Sequence, residues 1–329
     1  MKFNSGPAFY ICRLPAFTFM LVSLISFEVL ANPHEYMLAN GLKIVVKEDH
    51  RSPVVISQIW YKAGSIDELN GTTGVAHVLE HMMFKGTKNV SSGEFSKKIA
   101  AIGGRDNAFT SRDYTGYFQQ LHKSELALAM KLEADRMRNL ILTKEEFAKE
   151  IKVVMEERRL RTDDQPHALV YEKMMSVAYQ SHPYRRPIIG WMNDLENMSV
   201  DDAQEWYDRW YAPNNAVLVV VGDVDPKEVY SLAQKYYGEI KSRPIASLAL
   251  RKPQTEVTQA GIKRLQIKAP AQMPYLVMGY HAPVLHDANA DWEPYALEML
   301  VGVLDGNDSA RLNKELVREK QIASSINAD

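Results

Sequence analysis

Cysteine is almost absent: Cys12 is the only one in 329 residues, and it precedes an apolar stretch near the N-terminus. No disulfide can form within the chain, although an oxidising compartment is permitted. An excess of one charge is missing too. Lys and Arg total 39 against 41 Asp and Glu, a formal charge of −2, which gives no electrostatic case for nucleic acid or an anionic membrane as partner. Beyond residues 14–30 no apolar run is long enough to span a bilayer, and nothing is low-complexity. What is present, 46% hydrophobic and 24% charged residues, is the balance of a soluble globular protein. A length of 329 residues allows about two domains and a sizeable core.

Residues 1–31 read as a secretory signal peptide, which predicts a secreted or periplasmic protein. Lys2 and Arg13 form a positive start, residues 14–30 are mostly apolar, and Val29-Leu30-Ala31 supplies small residues for cleavage before Asn32. Glu28 and Pro15 make the stretch a poor membrane span, and a mitochondrial presequence would be arginine-rich and amphipathic. Cys12 is misplaced for lipid attachment, and the mature chain has no thiol.

The chemistry concentrates in residues 77–81, His-Val-Leu-Glu-His. On a helix, residues four apart sit one above the other, so His77 and His81 can aim two imidazoles at one metal ion, with Glu80 on the same rim. Zinc favours such ligands, and a catalytic site keeps one position open for water. A third ligand must come from elsewhere. Residues 143–161 read as a long helix with Thr143 as N-cap and Glu146 completing a capping box. There Glu150, Val154 and Glu157 fall at i, i+4 and i+7, which puts the two glutamates on one face.

His-x-x-Glu-His, continued as Met-Met-Phe-Lys-Gly-Thr, then two glutamates seven apart with the second 76 residues after His81, resembles the pitrilysin/insulinase family of inverzincins. The resemblance implies that Glu157 is the third ligand of one Zn²⁺ per chain, and that Glu150 is a carboxylate outside the ligand set that orients it. Glu80 is then the general base. Residues 107–110 and 114–118 flank a tight polar turn and read as a β-hairpin, which by spacing alone is an ordinary surface hairpin. The family's matching segment is an edge strand beside the zinc. The resemblance therefore implies that Asn107, Ala108, Phe109 and Thr110 bind the substrate peptide as an added strand.

Around these segments the chain alternates in type. Residues 42–47 and 54–61 read as strands, and Gly74 gives the histidine helix a flexible entry. Residues 95–102 and a Ser124-capped stretch to 140 read as helices. Arg158, Arg159 and Arg161 read as answering the dipole of the glutamate helix. His182, before a proline in a loop, reads as structural. A capped helix at 199–210, a buried strand at 216–222 and a helix from Asp225 to Gly238 follow. This predicts a peptidase domain at 32–240, a linker at 241–253 and a second, incomplete repeat at 254–329. In that repeat, strands at 262–268 and 275–280 precede helices at 291–304 and 309–320, and residues 295–299 lie over 77–81 with both histidines lost. The order of elements suits α+β layers of sheet and helices, and the resemblance implies two related halves of this kind closing on a peptide like a clam.

The predicted activity is zinc-dependent endopeptidase, with a peptide substrate and a homologous subunit or dimer partner as candidate partners. Two other readings compete. A non-catalytic scaffold keeping the fold would usually have lost ligand residues, whereas His77, Glu80, His81 and Glu157 are all here. A zinc-storage domain would leave Glu80 without a role.

Overall fold

In the computed structural model, residues 32–244 and 255–329 are described. The predicted signal peptide and residues 245–253 of the predicted linker lie outside them.

Period-two alternation builds the sheet. Its strands in the first part of the chain are β1 (His34–Met37), β2 (Lys43–Glu48) and β3 (Val54–Tyr61). β3 buries Val55, Ser57, Ile59 and Tyr61 on one face and half-covers the residues between them. Then come α1 (Val75–Met82), α2 (Glu94–Ala101), β4 (Arg105–Thr110), β5 (Thr115–His122), α3 (Leu126–Asn139), α4 (Lys144–Arg158), α5 (Pro166–Ala178), α6 (Met192–Asn197), α7 (Val200–Trp210), β6 (Ala216–Gly222), α8 (Pro226–Tyr237) and α9 (Glu293–Asp305). The six strands stand in the order β1-β2-β6-β3-β5-β4. Every pairing is antiparallel except β2 with β6, where Lys43 faces Val217 and Glu48 faces Gly222. α3 packs on β3 and β5, α8 on β2, and α1 against α4, α7 and β4. Their apolar faces meet over the sheet in one core containing Ile44, Val55, Ile59, Leu79, Met82, Leu218 and Val220. This is the α+β layering expected from the sequence, and it leaves β4 as an edge strand.

Capping agrees with the sequence at most helix ends. Thr143 accepts from Glu146 N–H, Ser199 and Asp202 form a reciprocal box, and Asp225 accepts from the N–H groups of Lys227 and Glu228. Two caps differ. Glu146 does not close its box, because its carboxylate pairs with Lys149 and accepts from Ser92. Ser124 caps nothing: it lies in a 3-10 turn whose N–H is taken by His122.

The region after the linker departs furthest. Residues 262–268 and 275–280 are not strands, since no described strand pairs with them, and Ile262 and Tyr280 are 88% and 86% exposed. An alternating apolar pattern encodes a strand only where a partner supplies the ladder hydrogen bonds. The residues aligned with the histidine helix do lie in a helix, α9, and Asn313–Glu319 forms a π-helical turn beyond it.

Candidate metal centre

α1 carries the sequence VAHVLEHM and buries Val75, Ala76, Val78, Leu79 and Met82. His77, Glu80 and His81 are left on the half-buried stripe that lines a cleft of about 680 Å³. The helix starts at Gly74, whose φ of 90° lies in the left-handed region. A Cβ there would stand 2.6 Å from the carbonyl oxygen of Ile189, so the backbone of residues 189–190 can press against the helix start only because Gly74 has none. The N–H groups at this end are capped from a distance. Glu68, fully buried, accepts from Gly74 N–H at 2.9 Å and Ala76 N–H at 3.0 Å. Asp194 accepts from Thr73 Oγ1 at 2.6 Å and fixes the preceding loop.

α4 brings the glutamates to the same place. Nitrogen atoms of His77 and His81 and an oxygen of Glu157 all lie within 4.8 Å of one another. Glu157 Oε2 is 3.4 Å from His81 Nε2 and 3.8 Å from His77 Nε2. Glu157 Oε1 is taken by Arg161 at 2.6 Å. Behind His81, Glu150 Oε1 stands 2.9 Å from Nδ1, and its other oxygen meets Lys85 Nζ at 2.5 Å. An ionised carboxylate only accepts, so this contact puts the His81 proton on Nδ1 and leaves the Nε2 lone pair facing the cleft.

This donor set fits a zinc ion. Burial, with His81 beside it, holds the His77 imidazole down to about 3, so the ring is neutral and has a lone pair to offer a metal. Burial alone would also lower His81, but its hydrogen bond to Glu150 and the charges of Glu150 and Glu157 carry it above its ordinary value. Two imidazole nitrogens and one carboxylate oxygen converging within 4.8 Å is the ligand set that tetrahedral zinc accepts, with a position to spare.

Glu80 stands at the rim. Burial raises its carboxyl above the ordinary value, opposed by a hydrogen bond from Thr110 Oγ1 to Oε2 at 2.5 Å. The four predicted substrate residues lie on β4 and border the same cleft. Their side chains alternate: Ala108 packs toward the core and Thr110 reaches Glu80, while Phe109 packs edge-on against Trp60 at 5.0 Å. Phe109 also lies over Gly116, where a Cβ would sit 2.5 Å from the ring.

The arginines at the end of α4 do more than answer its dipole. Arg158, in the last turn, is buried, pairs with Glu172 at 2.8 Å and donates to Gly190 O at 2.9 Å. Arg161 holds Glu157, and Arg159 pairs with Glu156. His182 is structural as expected, accepting from Tyr184 N–H. Sequence reasoning missed Glu68 and Lys85. It also passed over the Glu157–Arg161 pair, although i, i+4 spacing was a signal for it.

Comparison with known proteins gives the chain's relatives. Residues 43–191 match the family model described as Insulinase (Peptidase family M16), and residues 197–329 match Peptidase M16 inactive domain. The chain is 34% identical over 291 residues to zinc protease PqqE of Helicobacter pylori, covering 87% of this chain and 64% of that one. It is 28% identical to the uncharacterized zinc protease YmxG of Bacillus subtilis, covering 88% of this chain and 68% of the relative. Among solved structures, a protease from Helicobacter pylori superposes with a TM-score of 0.76 at 33% identity, over 90% of this chain and 70% of that one. The first half of the periplasmic protease PqqL from Escherichia coli gives 0.64 at 25% identity, over 69% of this chain and 50% of that one. The chain thus spans 64% of the length of the Helicobacter zinc protease.

Proposed function

This chain belongs to the insulinase (M16) family of peptidases, and on that premise we propose that it is a zinc-dependent endopeptidase acting on peptides or unfolded proteins. The observation that carries the reading is the convergence of His77, His81 and Glu157 beside a half-buried Glu80 at an open strand edge. His77 and His81 would hold the ion through Nε2 and Glu157 through Oε2. When bound, zinc supplies a Lewis acid that polarises the scissile carbonyl and acidifies water.

Glu80 removes the proton from the attacking water and returns it to the leaving amine. Its raised proton affinity suits both halves of that transfer, and Thr110 fixes one oxygen so that the other is free to act. Glu150 sets the ring of His81, and Arg161 turns Glu157 so that Oε2 faces the histidines. The outer edge of β4 offers its backbone groups to a peptide, which binds as a further strand at residues 107–110 largely regardless of sequence. A homologous subunit or second copy closing over the cleft belongs to the same proposal, as does a secreted or periplasmic location from residues 1–31.

The scaffold reading draws on the name of the inactive-domain match, but that match begins at residue 197, downstream of all four site residues. The test is zinc analysis of the 329-residue chain together with cleavage of a quenched fluorescent peptide. About one zinc per chain is expected, with hydrolysis that a chelator stops and added zinc restores. A chain that takes up no zinc refutes the reading.

A further inference from the structure

Among the described residues, three arginines in the cleft wall form no ion pair with an acid. Arg112 lies in the turn that follows β4, and Arg185 and Arg186 lie between α5 and α6; all three line the cleft. The cleft's own carboxylates are engaged elsewhere: Glu157 with Arg161, Glu172 with Arg158, and Glu80 with Thr110. Their hydrogen bonds go to neutral groups, although Arg186 also feels the charges of Glu68 and Asp194. Arg185 donates to Gln180 O at 3.0 Å, and Arg186 to Glu68 O and Asn70 Oδ1. Arg112 lies over the Tyr184 ring at 5.3 Å, and its Nε is buried with no hydrogen-bond partner. The acids nearby are held by other groups: Asp194 accepts from Thr73 Oγ1, and Glu256 from the N–H groups of Gln180, Ser181 and His182. Asp113 is occupied by the Tyr184 hydroxyl at 2.6 Å, and the carboxylate of Glu68 is turned to the N–H groups of α1.

The positive surface continues past the cleft. Arg185 also borders a second cavity of about 400 Å³, whose lining includes Lys263 and Arg264 and no carboxylate. Arg185 is exposed, but Arg112 is half-buried, and its guanidinium has strong donors and a charge that water serves incompletely. A carboxylate satisfies both through short, charge-assisted hydrogen bonds.

We infer that the cleft selects peptides carrying a carboxylate a few residues from the scissile bond, received by Arg112 and Arg185 beyond the Thr110 end of β4. This rests on the peptidase reading for its substrate but not for its chemistry. A peptide lying along β4 advances about 3.3 Å per residue, so a position two or three residues from the reacting bond reaches that end. The carboxylate comes from an Asp or Glu side chain or from the peptide's own C-terminus.

The test compares quenched peptides that differ only in Asp against Asn at each position flanking the bond, each with a free or an amidated C-terminus. The full chain should favour the acidic peptide at one or two positions by about tenfold or more in kcat/KM, the scale of one hydrogen-bonded charge. In the double variant Arg112→Gln/Arg185→Gln that ratio should fall toward one, and in Arg112→Lys/Arg185→Lys most of it should return. Dependence on the free C-terminus alone assigns the carboxylate to the peptide end; dependence on Asp assigns it to a side chain. Binding of the same peptides to the Glu80→Gln chain, followed by fluorescence anisotropy, separates this inference from the peptidase reading. Tighter, salt-sensitive binding of acidic peptides without any hydrolysis by the unaltered chain keeps the inference and removes the peptidase. Equal cleavage and equal binding of the Asp and Asn peptides, or a ratio untouched in the glutamine variant, overturns it.

Discussion

Thr110 donates to Glu80 Oε2 at 2.5 Å, tying the edge strand to the helix that carries the two histidines. The strand that would receive the peptide therefore also aims the base that would activate the attacking water. Thr110→Val should lower kcat about tenfold or more, the scale of losing a hydrogen bond to a charged group. KM and zinc content should change far less, and Thr110→Ser should recover most of the loss. Parallel losses in kcat, KM and zinc would show that Thr110 only supports the strand.

Glu80→Gln should keep its zinc and lose hydrolysis by about a hundredfold to ten-thousandfold, the usual contribution of a positioned base. His77→Ala or His81→Ala should lose metal and activity together, since two ligands hold zinc poorly. Wild-type turnover in Glu80→Gln, or a full complement of zinc in either alanine variant, would refute these roles.

Three neighbouring glutamates on α4 should separate by zinc titration. Glu157→Gln should cost the most affinity. Glu150→Gln, which loosens the hold on His81 Nδ1, should cost about tenfold to a hundredfold. Glu156→Gln should cost nothing measurable, because Glu156 is exposed and pairs only with Arg159. Equal effects at positions 156 and 157 would overturn the ligand assignment.

How much of this was legible depends on the range of each interaction. The histidine helix could be read because its three polar residues fall within one turn and a half, where spacing alone fixes the face. Glu157 was harder, since nothing local says which distant helix completes the set, and the family pattern had to supply it. Glu68 gave no signal: a carboxylate in a loop after a 3-10 turn looks solvated until the fold buries it against Gly74 and Ala76. α5 went unread because most of its residues are half-buried, so it has no sharp apolar stripe, although Pro166 at its first turn marked a start. At 262–280 the pattern was read correctly as apolar and wrongly as paired.

Glu68 also sets a pH dependence of stability. Burial pushes its carboxyl from an ordinary 4.5 up to about 8, against the two N–H hydrogen bonds that favour ionisation. Between those values the native state keeps a proton that the unfolded chain has released, so the contribution of Glu68 to stability is fully present below about 4.5 and is lost as pH rises through about 8. Glu68→Gln removes this group, and its Tm should change less than that of the unaltered chain between about pH 5 and about pH 8. Parallel Tm curves for the two proteins would show that Glu68 is already ionised in the native state.

The place of β6 in the sheet has a consequence for how the chain is made. β6 lies between β2 and β3, pairing with both, yet it follows them by more than 150 residues. A ribosome emitting the chain from its N-terminus exposes β2 and β3 with their inner edges open while α1 through α7 are synthesised. Contacts so distant in sequence are slow to form, and open strand edges invite pairing with other chains. The helices bearing His77, His81 and Glu157 therefore emerge before the sheet that fixes their spacing can close. Zinc capture should follow β6 insertion, so that pulse-labelled nascent chains ending before Ala216 bind no metal tightly and remain open to protease, while chains extended past α8 bind zinc and resist protease.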